Sequence, residues 1–339
     1  MARCCRCCSG FSRAALVAFL LISAVPLALL VALERGKSAG EYFEFRSLGW
    51  VRECAKWDDV GRRFLVSTFY EGGVSEVAVP ERGGAGALLE ERLVLQDADM
   101  AGNGSVGILL DRVRGRLLVT YADVRGNRFG ALGAYDLSSW RRIFLTQLSG
   151  PGDEPSLADD VAVDGDGNAY VTDAMANKIW KLGPNGNLLS TIRSPAFTQK
   201  KSWFASIVGL NGIVVHPNGY LLVVHTFGGL LFKVDIATAE VSVVQVAGAS
   251  LLFGDGLELL SPTKLVVAGM MPSGRVLESS DDWRSATLTG KYVGPVHRIS
   301  ASVTVKDGKV YLGHLLGGGL LRRTHVITEA VFSPVNSNK

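Results

Sequence analysis

A short apolar strand pattern recurs along this chain, at Phe64-Leu65-Val66-Ser67, Leu117-Leu118-Val119-Thr120, Ala169-Tyr170-Val171-Thr172, Leu221-Leu222-Val223-Val224, Lys264-Leu265-Val266-Val267 and Val310-Tyr311-Leu312-Gly313. In four of these units an acidic or amide residue, Glu53, Asp159, Asn211 or Asp255, precedes the strand centre by about eleven or twelve residues. A period of roughly 45–50 residues with strand-and-turn content in each unit is what a β-propeller blade looks like in sequence. Equivalent positions in a propeller converge on one axis, so these four residues are expected to meet.

Within a unit the punctuation is regular. Alternating segments such as Asp160-Val161-Ala162-Val163-Asp164 and Asn211-Gly212-Ile213-Val214-Val215 lead into turns at Asp164-Gly165-Asp166-Gly167-Asn168 and His216-Pro217-Asn218-Gly219. A second strand follows, then a third (Lys178–Leu182, Leu230–Val234) and a fourth such as Leu188–Ile192. Four antiparallel strands in each of six units give an all-β fold, a six-bladed β-propeller over residues 46–335. One N-terminal hydrophobic helix precedes it, and no other helix longer than a turn or two is expected.

That N-terminal segment runs uncharged from Ala14 to Leu33. At about 1.5 Å per residue it is long enough for a ~30 Å hydrocarbon core, which favours a transmembrane anchor. Small residues at Ser38-Ala39-Gly40 also fit a cleaved signal. The chain then divides into a Cys/Arg-rich tail (1–13), the anchor or signal (14–33), a linker (34–45), the propeller (46–335) and a short tail (336–339). Arg3, Arg6 and Arg13 precede the apolar segment, so the N-terminus is expected in the cytosol and the propeller on the lumenal or extracellular side, tied to the membrane or secreted.

The formal charge of +3, from 35 basic and 32 acidic residues, is matched by those three arginines alone. A balanced remainder gives a nucleic-acid partner no electrostatic support. Cys4, Cys5, Cys7 and Cys8 lack the spacing of a zinc module and suit either S-palmitoylation or a solvated tail of thiols. Cys54 reads as a buried small hydrophobe. Asp164-Gly165-Asp166-Gly167-Asn168 opens like an EF-hand loop, but Met175 stands where the bidentate Glu belongs, so it is a hairpin turn. Asn103-Gly104-Ser105 is a glycosylation sequon. Gly317-Gly318-Gly319 is followed by no Lys-Ser/Thr and reads as a turn.

Carboxylates converging at a propeller mouth without basic partners repel one another, and a cation resolves the conflict. Oxygen ligands that mix Asp/Glu carboxylates with an Asn carbonyl suit a hard ion such as Ca²⁺ or another divalent cation. The plainer reading is that Asn-Gly and Asp-Gly are ordinary turn dipeptides capping strand starts.

Glu53-Cys54-Ala55-Lys56-Trp57, Asn211-Gly212-Ile213 and Asp255-Gly256-Leu257 resemble, in order, the Glu-x-Pro-x-Trp, Asn-Gly and Asp-Gly signatures of the SMP-30/gluconolactonase/LRE-like propellers, with Ala55 in place of the usual Pro. The N-terminal hydrophobic segment is similar to that of the plant-type, calcium-dependent phosphotriesterase-like members. The resemblance implies Glu53, Asn211 and Asp255 as ligands of one divalent metal and Asp255 as general base. Asp159-Asp160 is similar to the Asn-Asp pair of paraoxonase-like propellers, which implies Asp159 as a further ligand and leaves Asp160 beside substrate. Asn103 takes the place of a substrate-contacting Asn of the second blade.

The expected activity is metal-dependent hydrolysis of a small lactone or ester, including organophosphates, with Asp255 activating water and His314 as a proton-transfer group. Substrate choice is expected in rim loops such as Phe197–Phe204 and Met270–Trp283. The alternative is a non-catalytic, membrane-tethered binding module with a structural metal. A strictosidine-synthase-like condensing enzyme is a second enzymatic reading, for which no motif speaks.

Overall fold

The computed structural model describes residues 40–81, 85–198, 207–248, 250–319 and 323–335, together with helical positions scattered between 19 and 29. The cysteine cluster, most of the apolar segment, the terminal tails and positions 199–206 of one rim loop lie outside the described residues. Among the described residues no helix is long and apolar enough to cross a membrane. Residues 1–37 form one unit and residues 38–339 another.

In the larger unit β1 (Tyr42–Ser47) comes first, so the ordered sheet begins four residues ahead of the expected boundary at 46. Then β2 (Ala55–Asp58), β3 (Arg63–Ser67), β4 (Gly73–Ala78) and β5 (Leu88–Gln96) pair antiparallel in sequence. The same four-stranded meander is built by β6 (Gly104–Asp111), β7 (Arg116–Ala122), β8 (Gly130–Asp136) and β9 (Arg142–Ser149). It is built again by β10 (Ala158–Val163), β11 (Ala169–Asp173), β12 (Lys178–Leu182) and β13 (Leu188–Arg193). Next come β14 (Leu210–His216), β15 (Tyr220–His225), β16 (Leu230–Asp235) and β17 (Val241–Ala247), then β18 (Gly254–Ser261), β19 (Lys264–Gly269), β20 (Gly274–Glu278) and β21 (Ser285–Tyr292). Finally β22 (Ser300–Lys306), β23 (Lys309–His314) and β24 (Arg323–Glu329) are completed by β1, which pairs antiparallel with β24; β25 (Ser333–Pro334) adds to β21. The last meander therefore takes its outer strand from the start of the unit, which ties the two ends of the ring together.

The first strands of the meanders stand side by side in order, β2 next to β6, β6 to β10, β10 to β14, β14 to β18, β18 to β22 and β22 back to β2. They enclose an axis. Between adjacent meanders lie the apolar clusters, and the second strands explain why the sequence repeat is an unbroken hydrophobic run. Leu221 and Val223 pack toward the preceding sheet with Tyr170 and Ile179, while Leu222 and Val224 pack toward the following one with Leu257 and Val267. A strand buried on both faces has no polar side to alternate with.

Strand pairing shifts one unit of the repeat. Leu257 is opposite Val267, as Ile213 is opposite Val223, so the equivalent quartet in the fifth unit is Leu265-Val266-Val267-Ala268, one residue later than the sequence pattern suggests. The turn at Asp164–Asn168 is a hairpin between β10 and β11, and the Asp164 carboxylate accepts from the Asn168 amide, the Asn168 side chain and the Tyr170 hydroxyl. Its oxygens serve the turn. Only short 3₁₀ turns, such as Ala98–Met100 and Pro195–Thr198, interrupt the strands among the described residues from 40 onward.

Candidate axial site

Five of the six first strands carry a β-bulge at the same place. Register slips between Ser105 and Ile108, Ala158 and Val161, Leu210 and Ile213, Gly254 and Leu257, and Ser300 and Ser302, so two residues face one on the second strand. A bulge bends the strand and re-aims its side chains. The first bulged residues are Val106, Asp159, Asn211, Asp255 and Ala301, and Glu53 holds the matching position ahead of β2, where Cys54 N–H donates to Ser67 Oγ and Ser67 N–H to Cys54 C=O. The four polar residues singled out in sequence are thus structurally equivalent. The second and sixth units contribute Val106 and Ala301, and Asn103, the residue expected from the second unit, does not hold that position. Asn103 sits in the turn before β6, half-buried, and its N–H donates to Met100 C=O.

Asn-Gly and Asp-Gly are not turn dipeptides here. A Cβ on Gly212 would lie 2.2 Å from the Asp255 carbonyl oxygen, and one on Gly256 would lie 2.5 Å from that of Ala301. Neither glycine has a positive φ. They are required because the next first strand passes directly against them.

Hydroxyls at the last position of the strand repeat stitch neighbouring bulges together. Thr172 Oγ1 accepts from Asp160 N–H at 3.0 Å and donates to Asn211 C=O of the next strand at 2.7 Å. Thr120 Oγ1 does the same between Gly107 N–H (2.8 Å) and Asp159 C=O (2.5 Å). The Ser67/Thr120/Thr172 series was visible in the repeat, and its signal was a hydroxyl ending an otherwise apolar run.

At the axis Glu53, Cys54, Lys56, Asp160, Asn211, Asp255, Gly256, Ala301 and Ser302 line a small cavity. It has about 10 Å³ for the centres of water-sized spheres, the room of one water. Burial, reinforced by Asp255, Asp159 and Asp160, raises the Glu53 carboxyl well above the usual range. Asp159 is raised in the same way, by burial and then by Asp255, Asp160 and Asp173. Burial and Asp160 push Asp255 up to about 8, against hydrogen bonds from the Asn211 side chain and Gly256 N–H. Asp255 Oδ1 is buried and has no hydrogen-bond donor. Asp160, also raised by burial, accepts from Val161 N–H (2.9 Å) and Ile213 N–H (3.3 Å), which fixes it as a tie between β10 and β14.

The expectation that these acids lack a basic partner is corrected by Lys56. Its ammonium donates to Val303 C=O at 2.8 Å and lies 3.4 Å from Glu258. Burial works against that ammonium, yet Glu258 and Asp160 together hold its pKa above the ordinary lysine value. Lys56 and Glu258 each follow an axial acid, Glu53 and Asp255, by three residues. Opposite charges at equivalent places in two units were the signal that reveals this pair. One ammonium does not neutralise Glu53, Asp159, Asp160 and Asp255 together.

Among the described residues no three His, Cys, Asp or Glu side chains are grouped to hold a metal ion. A mixed set of Glu53, Asn211 and Asp255 has only two such side chains, and the undonated Asp255 Oδ1 and the hard-oxygen donors are the features that fit a cation there. Cys54 is buried and its thiol is pushed up by that burial, so it stays a neutral thiol. His314 lies outside the cavity lining. It is buried in β23, with Nδ1 3.2 Å from Ser300 Oγ and Nε2 2.9 Å from Thr328 Oγ1. Burial, with Arg298 and His297 nearby, lowers its pKa to about 3, so it is neutral at pH 7.

No family model matches the chain, and no curated protein matches it. Solved structures do. The major Malassezia sympodialis allergen Mala s 1 superposes with a TM-score of 0.66 at 15% identity, covering 88% of this chain and 97% of the allergen. Virginiamycin B lyase from Staphylococcus aureus gives 0.55 at 10% identity, covering 88% of this chain and 90% of the lyase. The WD40 repeats of RRP9 give 0.54 at 9% identity, with 87% and 99% covered. At such identities the likeness concerns the fold alone, and that fold is a β-propeller.

Proposed function

We propose that the chain is a six-bladed propeller of the SMP-30/gluconolactonase/LRE-like kind that holds one divalent cation, calcium foremost, at its axis and hydrolyses small lactone- or ester-type molecules, organophosphates among them, at the mouth of that site. The observation that carries this reading is the convergence of Glu53, Asp159, Asn211 and Asp255 on one bulge position, with carboxyl pKa values raised and Asp255 Oδ1 undonated. Buried acids in surplus over one lysine are neutralised either by protons or by a bound cation.

Glu53, Asn211 and Asp255 would hold the ion, and Asp159 would add to the negative field beside them. When bound, the ion would supply polarisation of the substrate carbonyl. Asp255 is the carboxylate placed to take a proton from water at the cavity, because its Oδ1 accepts no bond whereas both oxygens of Asp160 are engaged by backbone donors. Val106 and Ala301 flank Glu53 around the axis, so two of the six axial places carry no charge.

The cavity's room for about one water favours a second reading, a propeller with a structural cation whose partner binds on the rim. If the N-terminal segment is an anchor, that rim is presented on the lumenal or extracellular side of a membrane. One experiment separates the readings. The full chain is titrated with calcium by calorimetry and assayed on a lactone and aryl-ester panel with and without chelator, beside Asp255→Asn. Chelator-sensitive turnover lost in D255N supports the hydrolase; calcium binding without turnover supports the structural cation; no calcium binding removes both.

A further inference from the structure

Arg275, in β20, is 1% exposed, yet no carboxylate stands beside it. Its Nη2 donates to the carbonyls of Leu252 (3.1 Å) and Met271 (3.3 Å), whereas Nε and Nη1 are buried without any acceptor. Arg52 and Arg116, buried to a similar degree, show the usual arrangement. Arg52 forms paired bonds to both Glu91 oxygens at 2.9 and 3.0 Å and a further one to Glu71, and Arg116 meets Asp111 at 2.8 Å. A guanidinium stays protonated at neutral pH, and burial lowers Arg275 only to about 10. Burying such a charge without a counter-ion costs several kcal/mol.

One neighbour of the guanidinium carries no side chain. Nη1 lies toward Gly269, where a Cβ would come within 3.0 Å of it. Above the guanidinium the two loops that supply its carbonyl acceptors reach solvent, since Leu252 and Met271 are themselves exposed. We propose that the loops 251–254 and 270–273 enclose an anion site in which Arg275 binds a small monovalent anion, either a halide or the carboxylate of an organic acid whose apolar part lies under Leu252 and Met271. A single positive charge with two free nitrogens and no other basic group near it matches one negative charge and is a poor match for a phosphate dianion. The site is separate from the axial acids and does not rest on the cation reading.

The test uses the full chain. Crystals soaked in sodium bromide are measured at the bromine edge, and melting temperatures are compared in chloride, bromide, acetate and a bulky sulfonate at equal ionic strength, for wild type and Arg275→Met. The expected result is anomalous density within hydrogen-bonding distance of Arg275 Nε or Nη1 and an anion-dependent melting temperature that R275M loses. Stabilisation by acetate but not bromide assigns the site to carboxylates, and the reverse assigns it to halides. Density showing only water or a protein carbonyl at these nitrogens, with identical melting in all four salts, overturns the proposal. Should R275M fail to fold, the wild-type soak and salt series decide it alone.

Discussion

Replacing Thr172 by Val tests whether the hydroxyl stitches hold the ring at its centre. The substitution keeps shape and removes one oxygen, so the Asp160 N–H loses its acceptor at 3.0 Å and the Asn211 C=O loses its donor at 2.7 Å. Thr172 is fully buried, and water cannot take over either role. An unsatisfied buried N–H costs ~1–3 kcal/mol and the second lost bond about 1 kcal/mol, giving roughly 2–4 kcal/mol. With ~2.1 cal/mol/K per residue, the unit spanning residues 38–339 has an unfolding entropy of ~0.6 kcal/mol/K, so the melting temperature should fall by ~3–6 °C. Differential scanning calorimetry of T172V beside Thr191→Val, on the exposed face of β13, makes the comparison. Because Thr172 also fixes the Asn211 backbone, calcium affinity should weaken in T172V and not in T191V. A melting temperature within about 1 °C of T191V would refute the reasoning.

Lys56→Met removes the one ammonium in the cavity while keeping its aliphatic stem; calcium should bind at least about tenfold tighter by calorimetry, ~1.4 kcal/mol, and unchanged or weaker binding would show that Lys56 does not offset the axial acids. His314 is lowered to about 3 from an ordinary 6.5, so between those values the unfolded chain holds a proton that the native state lacks. Its stabilising contribution is full above about 6.5 and is lost as pH falls, about 2 kcal/mol from pH 7 to 5 at ~1.36 kcal/mol per unit. Urea midpoints for His314→Gln should therefore show a shallower acid dependence than wild type, and parallel curves would contradict the burial of a neutral ring.

The strand repeat and its period were legible because a strand buried on both faces must be apolar throughout, and the four axial residues were legible because they recur at a fixed offset from it. Asp255-Gly256 and Asn211-Gly212 were found as motifs for the right positions, but dipeptide chemistry alone pointed to turns. The distinction between a turn glycine and one crowded by the next strand exists only once Asp255 C=O and Ala301 C=O are placed against Gly212 and Gly256. The one-residue slip in the fifth unit has a similar origin, since Lys264 sits on a hairpin and only cross-strand pairing shows that Ala268 is the counterpart of Thr172.

The sequence by itself determined an all-β repeat with unequal units, because hydrophobic period and turn residues are local properties of the chain. Tertiary structure decided that Tyr42–Ser47 closes the last sheet, that Val106 and Ala301 occupy the axial places of the second and sixth units, and that Lys56 reaches Glu258 across 202 positions of chain. Charge compensation at an axis depends on which distant side chains share the buried space, and no local pattern records that distance.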